Sequence, residues 1–369
     1  MINLMTPINN LGYGVAGLNI LKALQKQTDV ALHIIGQPDV SCDEDIAAVK
    51  KGLEKAKLFD RRAPCIKIWH QNQMSERIGD GKFIGFPIFE LNSFNNVEKH
   101  HLNSCDELMV CSKWAKSIAM DQCYYPVPPE VLDNRIHVVP LGVDTEIFKP
   151  QVSKRDKTIF FNCGKWEKRK GHDVLLECFN RAFRYEDNVE LWMMCYNPFI
   201  GQQNQGWEKL YKNSPLGSKI RMIPRQKTHQ DVYNIMKQTD CGVFPARAEG
   251  WNLELLEMMA CGKDVIATNY SAHTEFCNKD NSFLIDIDSL EPAHDGVFFT
   301  GDHGEWASFN DSAKSQLIEH MRNVHGVKQQ YLNSWDKQMH DFCSPNRAGI
   351  ETANKFTWEN SAQELLNGL

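Results

Sequence analysis

Residues 241–268 read CGVFPARAEGWNLELLEMMACGKDVIAT. The run CGVFP is apolar and short enough to be a buried strand, and DVIAT at the far end is another. A helix fills the space between them, starting near Asn252 and leaving Glu249 and Gly250 in the loop above the first strand. A strand, a helix and a second strand in so short a span mark an α/β layer packed on a parallel sheet. The same alternation runs back toward the N-terminus, while the last third of the chain is less regular. Before it come TIFFNCG, a helix in HDVLLECFNRAF, VELWMMCY and KIRMIP. An earlier series begins with INLMT, a glycine-rich turn PINNLGYGVAG and a helix LNILKALQKQ. It continues through DVALHIIG, CIKIWHQ, KFIGFPIFEL, ELMVCS and IHVVPLG. The polar, proline-bearing segment near Pro150 separates the two series. The reading predicts two doubly wound α/β domains over 1–150 and 151–345, with a C-terminal helical segment over 346–369. Ligands are then expected at the carboxyl ends of the strands.

Composition agrees with that picture. The 369 residues are 42% apolar and 24% charged, ordinary values for a chain that buries a large core. A net charge of −6 argues against a surface that binds nucleic acid throughout, though not against a local basic groove. None of the twelve cysteines forms a CxxC pair, and Cys111, Cys195 and Cys241 lie in apolar runs. They read as reduced core thiols, so a zinc site is not expected and the cytoplasm is. The N-terminus has no basic stretch followed by a long apolar core, and no apolar run reaches the ~18–20 residues of a membrane span. CDEDI at 42–46 reads as an acidic turn, and DID at 286–288 as a strand end rather than a metal motif. His100 and His101 read as surface helix residues.

Two segments carry chemistry. After Gly164, Lys165, Lys168, Arg169 and Lys170 crowd a loop that ends at Gly171 and a helix. A glycine admits close backbone approach, and the cations beside it neutralise phosphate. The spacing is neither a Walker loop nor GxGxxG. In the opening stretch, the amides of Gly250, Trp251, Asn252 and Leu253 stand at a positive helix end suited to phosphate or sugar oxygens. Glu257 lies about a turn and a half further along, and carboxylates are good acceptors for sugar hydroxyls.

Together these segments resemble a known family. AEGWNLELLEMMACGKDVIAT is similar to the E-x7-E signature of the retaining glycosyltransferases of family 4, and CGKWEKRKG resembles that family's diphosphate loop. VVPLGVDTEIFKP resembles its interdomain segment and FTWENSAQELL its C-terminal helix, with Thr357 as the cap. The resemblance implies a GT-B architecture, two Rossmann-like domains facing a cleft, with the last helix returning to the first domain. It implies transfer of a sugar from a nucleoside diphosphate sugar, UDP- or GDP-linked, with no cofactor and no metal.

Residue by residue, it assigns Glu249 to the donor sugar, Glu257 to the ribose and Lys170 to the diphosphate. Lys165 stands where the family carries arginine, which keeps the charge but not the bidentate fork. The base is expected near Ile223 and Arg225. In the first domain the family's glycine loop matches Gly12, Gly14 and Gly17, and Glu90 and His70 end strands near the reacting sugar. His273 follows a strand facing the ligand. The acceptor stays open: a glycan, a lipid-linked glycan, a protein, or a hydroxylated base in DNA. A sugar-nucleotide epimerase, a phosphorylase and a non-catalytic nucleotide-sugar binder are the rival readings.

Overall fold

In the computed structural model, which describes every residue except Tyr125 and 334–344, the chain divides into two units. One comprises Met1–Gly142 together with Phe356–Leu369, and the other Val143–Lys355.

The first unit holds strands β1 (Ile2–Thr6), β2 (Val30–Ile34), β3 (Cys65–Trp69), β4 (Phe83–Pro87), β5 (Glu107–Val110) and β6 (Ile136–Val138). They form one parallel sheet in the order β2-β1-β3-β4-β5-β6. Its helices are α1 (Gly12–Leu24), α2 (Asp43–Ala56), α3 (Asn96–Asn103), α4 (Lys113–Gln122) and α5 (Pro129–Leu132). The strands are apolar almost throughout because helices cover both faces of such a sheet.

The second unit repeats the plan. Strands β7 (Thr158–Gly164), β8 (Val189–Cys195), β9 (Ile220–Met222), β10 (Cys241–Phe244), β11 (Asp264–Thr268) and β12 (Phe283–Ile285) run parallel in the order β12-β11-β10-β7-β8-β9. A separate antiparallel hairpin pairs β13 (Leu290–His294) with β14 (Thr300–Ala307). The helices are α6 (His172–Ala182), α7 (Gln203–Lys212), α8 (His229–Met236), α9 (Leu253–Ala260), α10 (Asp311–Leu332) and α11 (Arg347–Lys355). A final helix, α12 (Trp358–Asn367), returns to the first unit and packs on α1. Thr357 caps it, accepting the Asn360 amide at 3.2 Å.

Both sheets are doubly wound, as the alternation of strands and helices predicts. Strand order reverses between β1 and β3 in one sheet and between β7 and β10 in the other, and ligands bind beside such reversals. The loops after β7 and β10 are the two segments in which the sequence concentrates its basic and acidic residues.

Several expectations need correction. The glycine-rich turn is shorter than expected, because α1 already begins at Gly12. A Cβ on Gly14 would lie 2.4 Å from the Asn9 backbone, and one on Gly17 would lie 2.0 Å from Thr6 Oγ1, so these glycines let the helix press on the turn before it. CDEDI opens α2 rather than forming a turn, its three acids lying in the helix's first turn where the dipole favours them. The boundary between units falls at Gly142, ahead of Pro150, because Phe148 is buried against His229 and Tyr233 of the second unit. Of residues 346–369, α11 belongs to the second unit, packed on α9, and only Phe356–Leu369 joins the first.

The described cysteines are free, and all but Cys42 are buried; Cys343 lies outside the described residues. Among the described residues no helix is long and apolar enough to cross a membrane. Asp286 and Asp288 hold the side chains of Asn269 and Asn310, the structural use expected of a strand end.

Candidate active site

β7 ends at Gly164, whose φ of +134° excludes ordinary side chains. A Cβ there would sit 3.2 Å from the Lys170 methylenes, so the lysine lies across the strand end. The intervening loop turns back through Gly171, at φ +72°, into α6.

The charges of this loop and of the loop after β10 interlock. Lys165 Nζ lies 2.7 Å from Glu167 Oε1, and Arg169 donates to Glu167 Oε2 through Nη2 at 2.8 Å and Nε at 3.1 Å. Arg169 Nη1 reaches on to Glu249 Oε2 at 2.9 Å and to the Ala248 carbonyl at 2.7 Å. Lys170 Nζ closes the series on Glu249 Oε1 at 3.0 Å. The result is a ladder of alternating sign, Lys165–Glu167–Arg169–Glu249–Lys170, with one cation in excess. Burial by itself would push the Glu249 carboxyl up, but Lys170 and Arg169 override it and hold it well below the usual carboxylate range. Glu167 is likewise held low against burial, by Arg169 and Lys165. Burial lowers the Lys170 ammonium, yet Glu249 and Glu254 raise it above its ordinary value, so the lysine stays charged.

Neutral groups frame the ladder. His172 is buried; its Nδ1 accepts the Glu167 amide at 3.1 Å and its Nε2 donates to Asn162 Oδ1 at 3.0 Å. Burial, with Lys170 nearby, lowers its pKa to about 3, which keeps it uncharged. Ser271, in the left-handed region at φ +53°, accepts the Glu249 amide at 2.9 Å. Arg247 is also buried. It donates to both Asp173 oxygens at 2.8 Å, to the Lys168 carbonyl at 2.5 Å and to Glu291 at 3.1 Å, tying the basic loop to the hairpin.

α9 begins where the sequence predicts. Asn252, at φ +88°, caps it by accepting the Leu255 amide. The amides of Gly250 and Leu253 have no hydrogen-bond acceptor among the described residues. Trp251 packs on Phe276, centroids 4.9 Å apart. Glu257 is buried, and its carboxyl has no hydrogen-bond or ion-pair partner among the described residues. Burial, with Glu254 alongside, pushes it well above the usual carboxylate range. His273 is spent internally: Nε2 accepts from Asn252 at 2.9 Å and Nδ1 donates to the Thr268 carbonyl at 3.1 Å. With burial lowering its pKa to about 4, it is a neutral brace for the cap, with no ring nitrogen left for a ligand. Arg225 is exposed beyond the end of β9, two strands out from β7.

In the first unit, Gly12, His70 and Glu90 follow β1, β3 and β4 at the carboxyl side of the sheet. Tyr13 joins them. Its hydroxyl donates to the Ile88 carbonyl at 2.5 Å, and its ring packs on His70 at 4.6 Å and Trp69 at 5.6 Å. Burial, then the nearby Glu90, raises the Tyr13 hydroxyl well above its usual range. A Cβ on Gly12 would meet nothing within 4 Å, so Gly12 borders open space whereas Gly14 does not.

Residues 143–297 match the family model described as glycosyl transferases group 1, a stretch that starts with the second unit and contains the whole ladder. Residues 143–297 form a group 1 glycosyl transferase domain. Beyond this match, the chain is 28% identical over 188 residues to an MMP alpha-(1->4)-mannosyltransferase of Mycolicibacterium hassiacum, covering 51% of this chain and 43% of that one. It is 25% identical over 251 residues to a probable sucrose-phosphate synthase of Thermosipho melanesiensis, covering 66% and 49%. The chain thus spans about half the length of the curated relatives it matches. Among solved structures, Anabaena Alr3699/HepE in complex with UDP-glucose aligns with a TM-score of 0.66 at 14% identity, covering 100% of this chain and 99% of that one. The likeness gives the fold of the group 1 domain and its companion as GT-B, the architecture expected from the sequence.

Sequence reasoning finds Lys165, Glu249 and Lys170, but not Glu167 or the way Arg169 links it to Glu249. Lys168 and Arg169 look alike in the string, yet Lys168 turns outward to the His294 carbonyl while Arg169 turns in. The signal within the group 1 domain is Glu167, a single acid among four cations. Tyr13, Ser271 and Arg247 also escape a reading by motif, since their partners lie far off in sequence.

Proposed function

We propose that the chain transfers a sugar from a nucleoside diphosphate sugar to an acceptor hydroxyl, with retention at the anomeric carbon. The observation that carries this reading is the ladder with its excess cation, buried at a strand-order reversal beside helix-end amides without acceptors. The lysines at the two ends of the ladder and those amides suit the oxygens of a diphosphate.

In this reading Lys170, Lys165 and the Gly250 and Leu253 amides stabilise the diphosphate as its bond to the sugar breaks. The acceptor oxygen bonds to the same carbon from the same face, and its proton passes to the departing phosphate oxygen. Lysines and amides supply the stabilisation, so the step calls for no metal. Each Glu249 oxygen keeps a lone pair for a sugar hydroxyl, and Glu257 has both oxygens for the ribose. Ile223 and Arg225 flank the base, which is uracil or guanine. Gly12, His70 and Glu90 serve the reacting sugar or the acceptor, for which a glycan, free or lipid-linked, is the leading class.

The test is a panel of UDP-, GDP- and ADP-sugars scored by thermal shift and by hydrolysis. One donor is expected to stabilise the protein and to be cleaved slowly. Lys170→Ala and Glu249→Gln should each lower turnover at least about 100-fold, with an unchanged circular dichroism spectrum. No shift and no cleavage with any of the three would sink the reading.

A further inference from the structure

Two large apolar side chains stand in water beside the basic loop. Phe199 is 61% exposed and Phe298 is 45% exposed. One follows β8 and the other tips the hairpin, yet their rings meet edge to face, with centroids 6.4 Å apart at 88°. The Lys165 ammonium lies over both, 5.7 Å from the Phe199 centroid and 5.8 Å from that of Phe298.

Each ring is fixed by its own turn. Asn197 Oδ1 accepts the Phe199 amide at 3.0 Å, and Asn197 is itself buried, donating to the Trp166 carbonyl at 3.0 Å. Asp295 Oδ1 gathers the amides of Val297 and Phe298 at 2.8 Å and of Phe299 at 2.9 Å. The hairpin is anchored in turn by Lys168 on the His294 carbonyl and by Arg247 on Glu291. Neither ring depends on Lys165 for its place.

We infer that Phe199 and Phe298 are positioning residues that seat the Lys165 ammonium for the diphosphate. The inference rests on the reading above. A lysine has a flexible stem where an arginine has a preorganised fork, and two fixed rings remove much of that freedom. The choice of rings matters. An ammonium has three N–H donors, and Glu167, shared with Arg169, engages one of them. A second carboxylate would cancel the charge. Ring faces stabilise it without accepting its protons, leaving charge and donors available to phosphate.

The test separates a ring face from mere apolar bulk. Lysines are reductively methylated with a carbon-13 label, and the Lys165 resonance is assigned by its loss in Lys165→Arg. In the unsubstituted protein that resonance should be displaced upfield by the rings. The displacement should survive Phe298→Tyr, shrink in Phe298→Leu and vanish when Phe199→Leu is added. In parallel, UDP and GDP are titrated by calorimetry. The double leucine variant should bind whichever nucleotide binds about fivefold more weakly, and Phe298→Tyr within about twofold, with thermal midpoints unchanged. Equal affinity in the double leucine variant, or a Lys165 resonance without displacement, would overturn the inference while leaving donor binding intact. If the unsubstituted protein binds neither nucleotide, the broader reading fails, and the assignment to the diphosphate fails with it.

Discussion

Glu249 and Glu257 are the same amino acid in opposite electrostatic states. The first is held by Arg169 and Lys170 and stays ionised; the second is buried with Glu254 alongside and is driven toward its neutral form. Hydrogen-bond donors favour the ionised form, so ribose hydroxyls arriving at Glu257 should lower its pKa and release a proton. Affinity for the nucleotide should therefore rise with pH, from the ordinary carboxylate range up to the raised value of the free protein. Calorimetry in buffers of different ionisation heat should register net proton release, which Glu257→Gln abolishes while weakening binding about tenfold. Proton uptake, or release that persists in Glu257→Gln, would speak against a ribose at this carboxyl. The spacing of the two glutamates is visible in the string because one loop and one helix set it. Their charge states are not, since these depend on Arg169 and Glu254 through space. The same limit explains His273, which looks free as a letter and is consumed by Asn252 and Thr268 in the fold.

Elements meet where side chains are missing. Gly171 joins the basic loop to α6 at φ +72°, and a Cβ there would lie 1.9 Å from the Pro245 carbonyl at the end of β10. Gly171→Ala should cost about 2 kcal/mol or more and lower the melting temperature by about 4–8 °C. Nucleotide affinity should fall too, because Lys170 and Glu249 lie on the two loops being forced apart. Gly12→Ala is the control: with nothing near its Cβ, it should shift melting by no more than about 1 °C. Differential scanning calorimetry on both variants decides the matter. Strands with buried faces, such as Ile159 to Cys163 in β7, declare themselves in the sequence by apolar runs. The hairpin does not. Its Asp295–Gly296 step is a hairpin signal, but between them β13 and β14 bury only Ala293, Trp306 and Ala307. A strand pair with so little apolar face leaves no alternation to read. The start of α1 is hidden for a related reason: glycines that serve close packing look the same as glycines that serve a turn.

For the whole molecule, the second unit is one uninterrupted segment, whereas the first is assembled from two. The ladder, Glu257 and the helix-end amides all lie in Val143–Lys355. That segment expressed alone should fold cooperatively and keep nucleotide affinity within about tenfold (~1.4 kcal/mol), while losing transfer. Residues 1–142 alone should fail, because α1 would lose the cover given by Trp358, Ala362 and Leu365, all buried. Burying a large apolar side chain contributes ~1.5–3 kcal/mol, so this loss is a sizeable part of a domain's stability. A soluble, cooperatively melting 1–142 fragment would count against this division of the chain. The division also has a consequence in time. A ribosome adding ~5–20 residues per second needs on the order of ten to forty seconds to pass from Gly142 to Phe356. Throughout that interval the β1–β6 sheet stands without its last helix while the later segment is being made, and that segment has all its residues before Phe356–Leu369 follow. The order of completion is thus the reverse of the order of synthesis, and the early half is the one that a chaperone would meet.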